Sequence, residues 1–509
     1  MESNFKKYVA IALAFVFIFS SCEKQSLNEN EDKPTNEITS QLIKISGDGN
    51  VDATKTTLNG LVTSWVAGTD KVGIYSTQAR TAAGGAGSAV VNAEFTAVTS
   101  AAVSDFTGTM YWGTANTSHT FYAYYPYAPG SHSVTAIPIS LPANQTQSAA
   151  NSTAHIGALD FLIAIPTSVT SPDNQDLVNN NTEVKLRYKH LFTVIEFQIK
   201  GSGNLKEISL EGNKSFAFSG ATVDITQASP DAGVAYSIAA ISGASTKVTT
   251  TLTSPATLTA TNADTKVYMV INPNTPVDQC LIGIKMDGGT WKYLQKAVPV
   301  GGFLRGQKYV VSINAADATL ENVVLGGAGK VWMDRNLGAT RVATRSSDTD
   351  AYGDLYQWGR LTDGHEKRNS STIFSNAYSD TPGNSYFLKV INSPYDWRIP
   401  QNNNLWQGVS GTNNPCPDGF RLPTETDWYY ESLSWSPNNR EGAFASPLKL
   451  TVTGYRGSSN GTIDMGSYGY YWSSTIFSTS SWYLVFTDNV SSFGNFSRAM
   501  GVSVRCIKD

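Results

Sequence analysis

The sequence predicts a mainly β protein, and three observations carry the prediction. Only 15% of the 509 residues are Asp, Glu, Lys or Arg, against roughly 25% in an average soluble protein. In their place stand 43 glycines and many Ser, Thr and Asn residues, a composition of turn formers that suits short strands and long turns. The clearest patterned segment alternates with period two. This composition argues against a helical bundle and against a highly charged disordered chain. A net charge of −4 without a basic run argues against a nucleic-acid partner. At about 150 residues per domain, the length suggests three or four domains, or two larger all-β ones.

Residues 1–21 read as a leader. Lys6 and Lys7 precede an apolar run from Val9 to Phe19. That run is too short to span a bilayer but suits a signal peptide. Phe19-Ser20-Ser21-Cys22 resembles the lipobox of bacterial lipoproteins, with Phe19 where Leu is usual. The resemblance implies cleavage before Cys22, lipidation of Cys22 and an outer-membrane, surface-exposed anchor. The alternative is an ordinary signal peptide with an incidental Cys. Residues 22–38 are polar and read as a flexible tether.

In this oxidising setting three cysteines remain. Cys416 and Cys506 share the C-terminal third and are paired here. Cys280 shares a strand face with Ile282 and Ile284 and reads as a buried free thiol. No CxxC and no HExxH occurs, so no cofactor or zinc site is expected.

The segment from 39 to 316 is strand-rich. Val72–Tyr75 follows a turn, and the aromatic run Thr120–Tyr125 stops at Pro126. From Phe192 to Lys200 two faces alternate, with Thr193, Ile195, Phe197 and Ile199 on one of them. Further strands are expected at 206–210, 247–253, 266–271, 279–286, 291–298 and 307–314. A stretch rich in Pro, Asp and Asn near 166–182 reads as a linker between halves 39–166 and 182–316.

Ser64-Trp65-Val66-Ala67-Gly68-Thr69-Asp70, Phe121–Pro126, Arg187–Phe192 and Phe303–Tyr309 resemble, in order, the signature segments of the fimbrillin (Mfa-like) family. The resemblance covers about half the chain. It implies two transthyretin-like β-sandwich subdomains and partners among other pilin subunits through donor-strand exchange. In that family shaft subunits lose an N-terminal strand to a protease. Gln41–Ile45 would be that strand here, with Lys44 or Lys55 as the cut. The plainer reading keeps the strand in place and both lysines solvated.

Residues 322–509 have another texture. Eight of the eleven tryptophans fall here: 332, 358, 397, 406, 428, 435, 472 and 482. At this density most are expected in a core, with one or two exposed as a sugar platform. Pro423–Trp428 reads as a helix start capped by Thr424, with Asp427 reaching back. Tyr429 and Leu433 are expected to share its buried face with Trp428 and Trp435. Val502, Val504 and Cys506 alternate as a final strand.

Val331–Gly338, Tyr352–Arg360, Asn414–Thr424, Gly454–Arg456, Tyr471–Thr475 and Gly501–Cys506 closely resemble the Fibrobacter succinogenes major paralogous (FISUMP) domain. The resemblance implies a C-type-lectin-like, formylglycine-generating-enzyme-like α+β fold with a terminal disulfide, and it names no ligand. Asp348, Asp350 and Asp354 are candidate calcium ligands, but the run lacks the terminal Glu of a calcium loop and reads better as a solvated turn. No Ser/His/Asp or Cys/His set is present, and His365 stands alone, so no catalytic residue is assigned.

The expected protein is a surface lipoprotein of fimbrillin type, a pilus-tip or surface adhesin whose C-terminal domain binds a glycan or protein ligand. A shaft subunit donates a C-terminal strand, whereas a closed, bridged final domain suits a tip. A glycan-binding surface lipoprotein outside any pilus is the alternative. An enzyme of the formylglycine-generating class is the third reading.

Overall fold

Alternation in the first two-thirds of the chain produces strands that bury one face, and their order decides the architecture. A computed structural model of the protein describes residues 23–26, 42–48, 64–83, 87–172, 182–227, 236–276, 279–465 and 468–509. The leader, Cys22, Gln41 and Lys55 lie outside these. The fold is mainly β, 43% strand against 6% helix. Among the described residues no helix is long and apolar enough to cross a membrane.

The N-terminal half closes on itself. Its ring runs β6 (Ser118–Tyr125), β3 (Lys71–Arg80), β4 (Ala89–Ala97), β5 (Val103–Thr107), β2 (Lys44–Asp48), β11 (Glu183–His190) and β9 (Leu162–Ala164). Because β9 pairs with both β11 and β6, the ring has no free edge. β10 (Thr167–Thr170) extends β9 along β6. This half is thus a barrel rather than the expected sandwich. The division near 166–182 also moves. β10 and β11, on either side of that Pro- and Asn-rich stretch, belong to one sheet, and residues 173–181 between them lie outside the described residues.

Trp65 fills the barrel with no exposed surface. It meets Phe106, Tyr125 and Tyr188 edge-on at 4.9, 5.5 and 5.1 Å, contacts worth about 0.5–1.5 kcal/mol each beyond burial. Its indole N–H donates to the Gly47 carbonyl of β2. Asp70 accepts from the Val66 N–H and the Tyr125 hydroxyl. Three of the family-like segments therefore meet around one indole.

The second half is a sandwich. One sheet is β1 (Glu23–Ser26), β20 (Gln307–Asn314), β12 (Thr193–Lys200) and β17 (Lys266–Ile271). The other is β19 (Trp291–Ala297), β18 (Gln279–Met286), β13 (Asn204–Glu211), β16 (Lys247–Thr257) and β8 (Asn144–Gln147). Ile195, Phe197 and Ile199 of β12 face Ile208, Leu210, Cys280 and Ile282 across the core. Cys280 is a free buried thiol, and burial pushes it up to about 12, which keeps it unreactive. On the other face of β12, Glu196 is nonetheless buried, because Lys308 pairs with it at 2.9 Å and Lys266 at 3.4 Å.

A small sheet of β15 (Ile238–Ser242), β14 (Phe218–Val223) and β7 (Ile137–Leu141) packs with Tyr75 and Tyr124 of the barrel and Tyr268 and Val270 of β17. A short helix α1 (Ile156–Leu159) joins this cluster. Since β7 and β8 come from the first half of the sequence but pair in the second, the halves are interlocked.

The C-terminal region holds short strands and little helix. One sheet is β21 (Val323–Leu325), β22 (Val331–Met333), β33 (Ile507–Lys508) and β26 (Phe420–Arg421). A second is β23 (Tyr356–Gln357), β32 (Gly501–Val502), β27 (Tyr455–Arg456) and β28 (Ile463–Asp464). β24 (Thr372–Phe374) pairs with β25 (Phe387–Lys389). A meander of β29 (Gly469–Phe477), β30 (Ser480–Phe486) and β31 (Ser491–Ser497) completes it. The expected final strand is broken into β32 and β33. Between them Arg505 turns inward, where its guanidinium donates to the Asn336 side-chain oxygen and to the carbonyls of Met333 and Leu448.

Helix α2 (Glu425–Leu433) starts at Thr424 with a reciprocal capping box to Asp427. Its buried residues are Trp428, Glu431 and Ser432, and Trp435 just beyond its end is buried too. Tyr429 and Leu433 face solvent, 47% and 60% exposed, contrary to the expected face. The reason is Glu431, whose buried carboxylate takes the N–H groups of Gly327 and Ala328 and so rotates the helix toward the β21–β22 turn. A second helix, α3 (Arg440–Ala445), is capped by Asn439.

The junction between regions is built, not loose. Leu320 and Tyr293 exchange backbone hydrogen bonds at 2.8 and 3.0 Å. The buried Glu211 carboxylate of β13 accepts the Leu325 N–H at 3.1 Å, and burial raises its pKa.

Candidate ligand-binding surface

The aspartates singled out from the sequence do not converge on a cation. Asp348 is buried and accepts from Arg341, the Thr344 N–H and the Thr344 hydroxyl. The hydrogen bonds from Arg341 and Thr344 hold its carboxyl well below the usual range. Asp350 shares the same arginine at 3.2 Å. Asp354 instead pairs with Lys367 at 2.7 Å, while burial raises its pKa. With Arg341 and Lys367 already balancing these carboxylates, the trio is a set of ion-paired turns.

A tryptophan platform is also absent from the described surface. Trp332, Trp358, Trp397, Trp406, Trp428 and Trp472 are 0% exposed, and Trp435 only 5%. Trp482 is partly buried against Phe477 at 5.0 Å. Indole N–H groups usually find a hydrogen-bond acceptor when buried. Those of Trp358, Trp397, Trp406, Trp428 and Trp472 donate to the carbonyls of Ser473, Trp358, Asn413, Trp472 and Tyr356.

The exposed aromatics of the C-terminal region are tyrosine and phenylalanine, and four of them fall between 361 and 395. Phe374, Tyr378, Tyr386 and Tyr395 are 59%, 80%, 43% and 47% exposed. Tyr395 has φ of 57°, a strained conformation for a bulky side chain.

Beneath this surface sits a polar hub that the sequence reading missed. Arg360 is 0% exposed. Its guanidinium donates to Gln357 Oε1, the Tyr386 and Asn384 carbonyls, and Asp363 Oδ2. Asp363 Oδ1 accepts from the N–H and Nδ1 of His365, while His365 Nε2 accepts the Gln357 N–H. Burial alone would raise the Asp363 pKa, but the His365 hydrogen bond and the nearby Arg360 charge outweigh it and lower it.

His365 is therefore not alone. Asp363, His365 and Glu366 lie close enough to hold a metal ion, and the spacing Asp-x-His-Glu was the available signal. Yet both ring nitrogens of His365 are engaged, and Glu366 Oε2 takes the Gly364 N–H. The cluster positions loops.

Burial lowers the His365 pKa from 6.5 to about 4. The unfolded chain therefore takes up this proton first as the pH falls. The stabilisation is complete above pH 6.5 and is lost toward pH 4, by roughly 2–3 kcal/mol at pH 4.5. Urea unfolding of the native protein and of His365→Gln at pH 7.5 and 4.5 checks this. The variant is expected to lose less stability between the two, and parallel losses would refute a buried neutral imidazole.

Among the described residues, two of the cavities that open to solvent bear on ligand binding. A groove of about 840 Å³ runs beside β20, lined by Val311, Ile313, Val298, Phe303, Cys280 and Lys296 among others. A pocket of about 290 Å³ lies in the C-terminal region, between Leu361, Asp363, Thr381, Gly383, Asn384 and Ser385.

The fold is an interlocked β-rich body joined to a disulfide-tied region of short strands. Residues 54–328 match the model of the fimbrillin-like family. That span is just over half the chain, and the protein belongs to the fimbrillin-like family. This places it among fimbrial and adhesion proteins of the cell surface. Solved structures to which it is similar include a cell-adhesion candidate from Bacteroides uniformis, 17% identical, covering 55% of this chain and 94% of that one, with a TM-score of 0.36. A fimbrial assembly protein from Parabacteroides distasonis is 11% identical, covering 54% of this chain and 90% of that one, at 0.30. A fimbrial protein from Bacteroides ovatus is 11% identical, covering 93% and 99%, at 0.27. At these scores the family rests on the sequence match. No curated protein matches the chain.

Proposed function

We propose that the protein is a lipid-anchored surface adhesin, at a pilus tip or on the cell surface, whose FISUMP-like C-terminal domain binds a ligand. The observation that carries this reading is the junction. The last strand of the fimbrillin-like body, β20, leads through Leu320 and Leu325 into a region hydrogen-bonded to β13 and β19. A recognition domain held this rigidly transmits force to its stalk, and β20 is not free to be donated.

Partners in this reading are other pilin subunits. β2 lies between β5 and β11, so its removal would open a slot with two unpaired edges for an incoming strand. Lys44 is the first residue of β2, so a cut there would leave most of the strand seated. A cut at Lys55, downstream of β2, would release all of it.

Fractionation of cells that make the protein, with mass analysis of its N-terminus, tests the proposal. Co-purification with pilus shaft or outer membrane and an acylated Cys22 are expected. A soluble product without a lipid on Cys22 would overturn the anchored adhesin.

A further inference from the structure

The pocket beside the Arg360 hub has chemistry specific enough to name a ligand class. Its volume of about 290 Å³ is at the small end for ligand sites, room for one ring rather than a drug-sized molecule. Leu361, 40% exposed, gives it an apolar wall. Thr381, Asn384, Ser385 and Asp363 give it polar groups on the other sides.

Two of these groups are fixed and still have capacity. A carboxylate offers about four acceptor positions. Asp363 receives two hydrogen bonds from His365 and one from Arg360, and its side chain is 20% exposed. One acceptor position is left for a ligand. Asn384 accepts the Tyr386 N–H through Oδ1 and donates to the Pro382 carbonyl through Nδ2, which leaves one amide hydrogen.

Charge narrows the class. Asp363 is compensated by Arg360 at 2.8 Å, so the pocket has no net negative charge to hold a metal or an ammonium group. Arg360 is fully buried with its donors turned to protein acceptors, so it offers an anion nothing. A neutral ligand that both donates and accepts hydrogen bonds, with one less polar face for Leu361, fits these constraints.

We infer that this pocket is a subsite for one neutral sugar ring, with a ring hydroxyl donating to Asp363 and others meeting Asn384, Thr381 and Ser385. The inference rests on the adhesin reading above and gives it a ligand class.

The test titrates the full chain with methyl glycosides of glucose, galactose, mannose, fucose and N-acetylglucosamine by ligand-observed NMR. At least one is expected to bind saturably. Thr381→Trp places an indole at an exposed lining position outside the buried hub. It is expected to weaken that binding at least about tenfold with an unchanged melting temperature. Asp363→Asn is expected to weaken it as well. If no glycoside saturates, or if Thr381→Trp binds as well as the native protein, the subsite is overturned. Cell adhesion is scored in parallel to separate the two readings. Adhesion that persists without sugar binding overturns the subsite and spares the adhesin. Sugar binding without adhesion supports the subsite and counts against the adhesin.

Discussion

Cys416→Ser is expected to destabilise the protein by about 4–5 kcal/mol, judged by the chain-entropy effect of releasing so long a loop. The structure joins Cys416 to Cys506 with a Cα separation of 5.8 Å across 90 residues of sequence. Cys506 is 1% exposed and lies in the core shared by Trp358, Trp397 and Trp472. The strands it secures are short: β33 pairs through two residues with β26 and one with β22. Hydrogen bonds this few do not fix a chain segment without a covalent tie. The loss would consume much of the 5–15 kcal/mol that stabilises a typical domain. Guanidinium midpoints of the native protein, with and without reductant, and of Cys416→Ser check it. Equal midpoints would show that the bridge adds nothing to folding.

Arg505→Ala is expected to cost about 3–5 kcal/mol, from several buried acceptors losing their donor at about 1–3 kcal/mol each. Arg505 is 2% exposed. It supplies two hydrogen bonds to the Asn336 oxygen and one each to the Met333 and Leu448 carbonyls. Burial lowers its pKa to about 10, so it stays charged at neutral pH. Asn336 in turn donates to the carbonyls of Ala351 and Tyr352 and meets Thr451 and Tyr471. One side chain thus organises four separate stretches. Arg505→Lys keeps the charge but loses the planar fork, so it is expected to recover only part of the loss. Urea unfolding of the three proteins ranks them. A lysine variant as stable as the native protein would show that charge, not geometry, matters here.

The same two sites show what could be read in advance. Segments Val331–Gly338 and Gly501–Cys506 were recognisable as motifs, yet nothing in their spacing says that Asn336 and Arg505 touch. Thr424 and Asp427 were legible as a cap because Asp427 lies three positions on and one helical turn brings them together. The buried face of α2 was not legible, since it depends on the Gly327 and Ala328 N–H groups about a hundred residues upstream. The Asp363 partner of His365 was legible in the Asp-x-His-Glu spacing, but its second partner, the Gln357 N–H, carries no side-chain signature.

Sequence by itself determined what local chemistry governs: a mainly β chain, the alternation of β12, the helix start at Thr424, and a C-terminal third dense in tryptophan. Tertiary structure decided the rest. It closed the first half into a ring through β9, sent β7 and β8 across to the second half, and turned Arg505 inward. It also hid most of those tryptophans and left tyrosines on the surface. The physical reason is that period and capping act over a few residues. Ring closure, buried hydrogen-bond pairing and the choice of exposed face depend on groups tens to hundreds of residues apart, whose proximity only the packed chain creates.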